Sequence, residues 1–155
     1  MKEKILIIDD DEHILKTCER LLRSKDYHCF VFSSARKALE NAELIQPAVV
    51  VADQRMPEIE GTVLLEMIRR TMPFTIRIIM TGYADLNAII SNINNGNIFK
   101  FIKKPWDDLS FLNEIEKAIE QYRMNDSLSE ILVDDEKKKT DQNTKSYPVL
   151  FATFQ

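Results

Sequence analysis

The stretch that decides the fold is KILIIDDD at residues 4–11, in which an apolar run of four residues leads directly into three aspartates. A second stretch, AVVVAD at residues 48–53, repeats this arrangement with one aspartate at its end. Strands that are apolar at every position are covered on both faces, as in a parallel sheet with helices on each side. The two stretches therefore predict central strands that end in acidic residues.

Short β-branched runs alternate with longer segments of helical period throughout residues 1–124. This alternation is typical of consecutive strand–helix units that feed a parallel sheet. Five strands are predicted, at residues 4–9, 28–32, 48–53, 75–80 and 98–102. The predicted fold class is α/β.

The predicted helices carry apolar residues at intervals of three and four, as amphipathic helices do on their buried faces. We assign these residues to the core, and Ser33 or Ser34 and Asp107 or Asp108 are the predicted N-caps of the second and fifth helices. In chain order, the apolar stripes are Ile14, Cys18, Leu21 and Leu22; Ala35, Ala38, Leu39 and Ala42; Val63, Leu64, Met67 and Ile68; Leu86, Ile89, Ile90 and Ile93; and Phe111, Leu112, Ile115, Ala118, Ile119 and Tyr122.

Composition argues against several classes of function. The chain has 155 residues, and its three glycines disfavour a glycine-rich nucleotide loop. Its net charge of -4 disfavours direct contact with nucleic acid, because proteins bind nucleic acid through basic surfaces.

The apolar runs are too short for a membrane span or a signal peptide. Cys18 and Cys29 lack the spacing of a zinc site or a disulfide framework. We expect a cytoplasmic protein with reduced thiols and no membrane contact.

The pattern changes at Asn125. Residues 125–155 contain a short apolar run, a charged run at 134–139 and a strand-like run at 149–154. They are too few for a second domain. The predicted organisation is one domain at residues 1–124, followed by a linker or C-terminal tail at 125–155. The run at 149–154 could add a strand to a sheet edge.

Polar residues occur where the predicted strands end, and ligands of open parallel sheets bind at that edge. Clustered carboxylates repel one another unless a cation compensates, and oxygen ligands suit Mg²⁺ better than zinc. An aspartate that attacks phosphorus, beside a lysine and a metal ion, predicts formation of an aspartyl phosphate. The residues that carry this prediction are Asp9, Asp10, Asp53, Thr81 and Lys104.

Four motifs together resemble the receiver domain of bacterial two-component response regulators. They are IIDDD at 7–11, DQRMP at 53–57 followed by Gly61, MTGY at 80–83 and FIKKP at 101–105. The resemblance implies a flavodoxin-like, doubly wound sheet of five parallel strands in the order 2-1-3-4-5, with five helices. It also implies phosphorelay signalling from a sensor histidine kinase. At subfamily level the motifs resemble receivers of cyclic-di-GMP phosphodiesterases or transcription activators.

The resemblance implies a role for each matching residue. Asp53 would be the phosphoacceptor, and Lys104 would pair with Asp53 and then with the phosphoryl group. Asp10 and Asp53 would ligate Mg²⁺ directly, together with the backbone carbonyl of Arg55, while Asp9 would act through water. The chain would be a switch rather than an enzyme, with at most autodephosphorylation activity.

The switch itself would involve Thr81, which would hydrogen-bond a phosphoryl oxygen, and Phe101, which would turn inward. These movements would re-form the face of the fourth helix, fifth strand and fifth helix, where the chain could form a homodimer. Arg55 and Tyr83 would tune hydrolysis of the acyl phosphate, and their size predicts a long-lived phosphoryl group. The Lys104–Pro105 bond is expected to be cis.

The loop after Asp53 is expected to take its shape from Pro57, which fixes φ, and from Gly61, which permits a positive φ. Gly82 stands where the family commonly has alanine, which is expected to loosen that loop.

Other functions stay open at this stage. The chain could be the regulatory receiver fragment of a larger enzyme or transcription activator, or a phosphorylation-independent binding module. A haloacid-dehalogenase-like phosphatase would use Asp9 as nucleophile with Asp11 two residues on, but it leaves Asp53 and the Lys104–Pro105 turn unexplained.

Overall fold

A computed structural model describes residues 2–146 of the chain, apart from the side chains of Tyr83 and residues 142–146. The predicted tail strand at 149–154 lies outside these residues. The elements are β1 (Lys4–Ile8), α1 (Glu12–Ser24), β2 (His28–Phe32), α2 (Ala35–Ile45), β3 (Val49–Asp53), α3 (Gly61–Thr71), β4 (Ile76–Thr81), a 3₁₀ turn (Tyr83–Asp85), α4 (Leu86–Asn94), β5 (Lys100–Lys103) and α5 (Asp108–Ser146).

The five strands form one parallel sheet in the order β2-β1-β3-β4-β5. The α/β fold class, the strand order and the five strands are therefore confirmed. Along β1 the apolar side chains alternate between two cores. Ile5 and Ile7 pack with α1 and the first part of α5, whereas Leu6 and Ile8 pack with α2, α3 and α4. Complete burial on both faces explains why residues 5–8 of this strand are continuously apolar.

Three helices begin at a residue whose side chain accepts a hydrogen bond from a backbone N–H of the first turn. The side chain of Ser34 accepts a hydrogen bond from the backbone N–H of Lys37 at the start of α2. The carboxylate of Asp107 accepts from the N–H of Ser110 at the start of α5. Both were among the predicted caps. In α1, Asp11 accepts from the N–H of His13.

The predicted buried face of α3 is wrong at Val63 and Met67, which are 48% and 43% exposed. The buried residues of this helix are Gly61, Leu64, Leu65 and Ile68. At about 100° per residue, the two exposed side chains lie more than 100° from the centre of that face. The prediction holds for Leu64 and Ile68, and Leu65 takes the buried position that the spacing had assigned to Met67.

In α4, the predicted core residue Ile90 is 44% exposed. Ile89 is the residue of α4 that is buried, and Leu86 and Ile93 are half-buried. Because the buried stripe is centred on Ile89, the adjacent residue is turned towards the surface. The prediction for α4 therefore holds at Leu86, Ile89 and Ile93 and is wrong at Ile90.

The chain divides into two compact units, Met1–Tyr122 and Arg123–Gln155. In the second unit, α5 extends through Ser146. No glycine or proline interrupts the sequence between Trp106 and Tyr147, so the loss of apolar period at Asn125 does not end the helix. The assignment of residues 125–155 as a linker or tail stays a prediction. No helix within residues 2–146 is long and apolar enough to cross a membrane.

Candidate functional site

Three carboxylates meet at the carboxyl ends of β1 and β3. Asp9 follows β1, and Asp53 is the last residue of β3. These two strands are neighbours, with Ile8 paired to Ala52. One carboxylate oxygen from each of Asp9, Asp10 and Asp53 can be chosen so that all three lie within 4.8 Å of one another. The predicted clustering of these acids is therefore present.

Lys104 brings a positive charge to this cluster. Its Nζ lies 2.7 Å from Asp9 Oδ2 and 3.0 Å from Asp53 Oδ1. Its backbone N–H donates to the carbonyl of Thr81 at 2.8 Å, which fixes the start of this loop against the end of β4. The Lys104–Pro105 peptide bond is cis, as expected. The predicted contact with Asp53 is present, and the shorter contact to Asp9 is an addition to it.

Burial and mutual repulsion make this cluster electrostatically costly. Burial raises the pKa of Asp9 and of Asp53, although hydrogen bonds from Lys104 oppose the rise. Burial lowers the pKa of Lys104, but the two carboxylates outweigh it and the net pKa is raised. The site holds more negative than positive charge in a half-buried setting. Such an arrangement favours cation binding.

The three carboxylates of the cluster differ in their exposure to solvent. Asp9 is fully buried, and its second oxygen accepts the backbone N–H of Asp11 at 2.9 Å. Asp53 is 8% exposed. Asp10 is exposed and lines a cavity of about 440 Å³ together with Gln54 and Arg55. The site is thus open to solvent on the side of Asp10.

Thr81 and Phe101 lie at the edge of the site without contacting the carboxylates through a described hydrogen bond. Thr81 is buried at the end of β4, and its hydroxyl donates to the carbonyl of Gly82 at 3.0 Å. Phe101 in β5 is half-buried against the core beneath α2, α3 and α4. Their roles in switching stay predictions. The side chain of Tyr83, predicted to tune hydrolysis, lies outside the described part of the chain.

Sequence reasoning missed Asp85 as the partner of Arg55. The guanidinium donates two hydrogen bonds to this carboxylate, from Nε to Oδ2 at 2.8 Å and from an Nη to Oδ1 at 3.1 Å. The pair raises the pKa of Arg55 and lowers that of Asp85. Thirty residues separate the two, so no local spacing could have revealed the contact.

Gln54 was also missed. It is 6% exposed, and its side-chain carbonyl accepts the backbone N–H of Thr62 at 3.0 Å. This bond satisfies a free donor at the start of α3, where the nominal cap Glu60 supplies none. Gln54 thereby ties the residue beside Asp53 to the following helix. An amide next to an acid in sequence carries no signal of such a contact.

The predicted reason for Gly61 is wrong. Among the described glycines only Gly96 has a positive φ. A Cβ at Gly61 would lie 2.2 Å from the carbonyl oxygen of Asp53 and 2.6 Å from Cδ1 of Ile79. Glycine is required because the first turn of α3 approaches the end of β3 closely.

Comparisons with known proteins agree with this geometry. Residues 5–119 match the model of the response regulator receiver domain. The DNA-binding transcriptional regulator NtrC of Proteus hauseri is 34% identical over 122 residues, which are 79% of this chain and 26% of that protein. This chain therefore spans about a quarter of the length of that curated relative.

Two solved structures share the fold. That of an adenylate cyclase from Rhodopirellula baltica matches with a TM-score of 0.81 and 32% identity over 85% of this chain and 98% of that one. The signal receiver domain of an HD domain-containing protein from Pseudomonas fluorescens Pf-5 matches with a TM-score of 0.76 and 31% identity, over 81% and 93%. Sequence and fold together place this chain in the family of response regulator receiver domains.

Proposed function

We propose that the chain is a phosphorylation switch whose acceptor is Asp53. The observation that carries the proposal is the contact of Lys104 with Asp53 at 3.0 Å inside a cluster of three carboxylates. In the proposed reaction a carboxylate oxygen of Asp53 forms a bond to phosphorus, while the bond from phosphorus to a nitrogen of the donor's phosphohistidine breaks. The displaced histidine keeps that electron pair.

Each neighbouring side chain has a part in this reaction. The ammonium of Lys104 orients Asp53 and compensates charge that builds up on the phosphoryl oxygens. Thr81, at the end of β4, would donate its hydroxyl to one of those oxygens after breaking its hydrogen bond to the Gly82 carbonyl. Phe101 would then turn inward. Arg55 and Tyr83 are the residues that would shield the acyl phosphate from water.

The donor set of the cluster fits Mg²⁺, because it consists of oxygens and carries excess negative charge. Asp10 and Asp53 would hold the ion directly with the backbone carbonyl of Arg55, and Asp9 would act through water. When bound, the ion supplies positive charge that offsets the repulsion between the acids and an incoming phosphoryl group.

The proposed partner is a sensor histidine kinase in the cytoplasm, and the face of α4, β5 and the first part of α5 is the proposed site for a homodimer. Response regulator receivers are regulatory domains rather than an enzyme family. We propose that the intrinsic chemistry here is limited to accepting the phosphoryl group and losing it slowly.

A second proposal concerns the whole protein. This chain spans 26% of the length of the transcriptional regulator NtrC, so the first option is the receiver of a transcription activator. The neighbour named as an adenylate cyclase suggests the receiver of an enzyme as the other option. A phosphorylation-independent binding module is the outcome if Asp53 accepts no phosphoryl group.

The test is the intact mass of the protein after incubation with acetyl phosphate and Mg²⁺. One phosphoryl adduct is expected in the wild type, and none in Asp53→Asn or after chelation of the metal. Lys103→Met, at the last residue of β5, is a control beside Lys104→Met, because the Nζ atom of Lys104 lies 2.7 Å from Asp9 and 3.0 Å from Asp53. An adduct that persists in Asp53→Asn would contradict the proposal.

A further inference from the structure

We propose that Arg55 and Asp85 form a latch whose partners are exchanged on phosphorylation, so that Arg55 moves to the phosphoryl group and Asp85 becomes the N-cap of α4. The inference rests on the proposed phosphorylation of Asp53. The exchange would couple the loop after Asp53 to the start of α4. Its new element is the role of Asp85.

The latch joins the loop after Asp53 to the segment before α4. Arg55 lies two residues after Asp53 in the loop between β3 and α3, and Asp85 lies at the end of the 3₁₀ turn before α4. Two parallel hydrogen bonds, of 2.8 and 3.1 Å, connect them. The side chain of Arg55 is 73% exposed and that of Asp85 is 24% exposed. Exposed ion pairs of this kind contribute little to stability, so a group that binds Arg55 more strongly can replace Asp85.

Asp85 occupies a capping position without acting as a cap. It is the N-cap residue of α4, yet its side chain makes no hydrogen bond to the helix. Aspartate at this position normally accepts a backbone N–H of the first turn and also interacts favourably with the helix dipole. Here the guanidinium of Arg55 holds the carboxylate. Release of Arg55 therefore leaves Asp85 free to stabilise the first turn of α4.

Arg55 has a competing partner once Asp53 is phosphorylated. It lines the cavity of about 440 Å³ that Asp10 and Gln54 also line. A phosphoryl group carries close to two negative charges and three acceptor oxygens, in place of the single charge of a carboxylate. Guanidinium binds such groups with paired hydrogen bonds. The phosphoryl group thus outcompetes Asp85 for the same donor.

Phosphoryl lifetime in a double-mutant cycle tests the first half of the exchange. Wild type, Arg55→Gln, Asp85→Asn and the double variant are phosphorylated with acetyl phosphate, and loss of the adduct is followed by intact mass. Asp85→Asn is expected to lengthen the lifetime about threefold, the scale of an exposed ion pair, because Arg55 is no longer held away. In the Arg55→Gln background the same change should have no effect. Equal effects in both backgrounds would overturn the proposal.

Hydrogen exchange of the peptide covering residues 86–94 tests the second half. Phosphorylation should slow exchange in the first turn of α4 about threefold in wild type, the scale of a modest cap, but not in Asp85→Ala. Asparagine caps helices without pairing to arginine, so Asp85→Asn should show the slower exchange before phosphorylation. The control is Asp108→Asn, at the start of α5, whose pair with Arg20 is long, at 3.9 Å; it should leave α4 unchanged.

The two failures are distinguishable. If wild type accepts no phosphoryl group, the proposed function is wrong, whereas exchange in unphosphorylated Asp85→Asn still measures the capping step. Unchanged α4 exchange in that variant, with wild type normally phosphorylated, would overturn the latch alone.

Discussion

Replacing Gly61 by alanine should destabilise the domain through a backbone clash. The new Cβ would stand 2.2 Å from the carbonyl oxygen of Asp53, 2.9 Å from its carbonyl carbon and 2.6 Å from Cδ1 of Ile79. The isoleucine methyl can turn aside, but the carbonyl belongs to a central strand. The first turn of α3 must therefore move away from β3 by roughly 1 Å to restore an ordinary contact.

The cost follows from what that movement disrupts. The N–H of Gly61 donates to the carbonyl of Gln54 at 3.0 Å, and the side chain of Gln54 accepts the N–H of Thr62 at 3.0 Å. Overpacking of this kind costs about 2 to 3 kcal/mol. For a domain of this size the Tm should fall by roughly 6 to 12 °C.

Thermal unfolding followed by circular dichroism measures this difference, and Gly82→Ala is the matched control. Gly82 has a φ of -82°, and a Cβ there would meet nothing within 4 Å. That variant should unfold at or slightly above the wild-type temperature. If Gly61→Ala and Gly82→Ala unfold together, the close approach of α3 to Asp53 is not what requires glycine.

Three further outcomes are expected. In chelator, Asp53→Asn should raise the Tm at neutral pH, because burial raises the pKa of Asp53 and the fold favours its protonated form. The contribution of Asp53 to folding stability is favourable below its unfolded pKa of 3.8 and is lost as pH rises through its folded pKa. An equal gain below pH 3.8 would refute this reason. Burial raises the pKa of both Cys18 and Cys29 to about 12, so alkylation at mildly alkaline pH should be more than about tenfold slower in the folded protein than in urea; equal rates would contradict it. Asp11→Ala should cost about 1 kcal/mol in urea unfolding, since Asp11 caps α1 through the N–H of His13, and an unchanged midpoint would show that the cap contributes little.

The sheet could be predicted because its signals are local. A strand covered on both faces carries an uninterrupted apolar run, so the strands at residues 5–8 and 49–52 could be recognised from such runs in the sequence. The carboxyl ends of parallel strands lie at the same edge of the sheet, so the polar residues just beyond these strands are expected to lie together there. Four charged residues of the site could therefore be placed together from the sequence: Asp9, Asp10, Asp53 and Lys104.

What could not be predicted depends on contacts between distant segments. The partner of Arg55 lies 30 residues away in sequence, and Gln54 caps a helix that begins seven residues later, an offset that no capping motif describes. In α3, two helical stripes fit the same spacing, and only packing against β3 and β4 decides between Leu65 and Met67. The reason for Gly61 is likewise a tertiary contact and not a local conformation.

Phosphorylation of Asp53 is tested most directly by locating the phosphoryl group. Protein phosphorylated with acetyl phosphate and Mg²⁺ is reduced with borohydride, which converts an aspartyl phosphate to homoserine, and peptides are then sequenced by mass spectrometry. If Asp53 is the phosphoacceptor, homoserine is expected at position 53 alone. Homoserine at position 9, the nucleophile of a haloacid-dehalogenase-like mechanism, would show that Asp53 is not the acceptor.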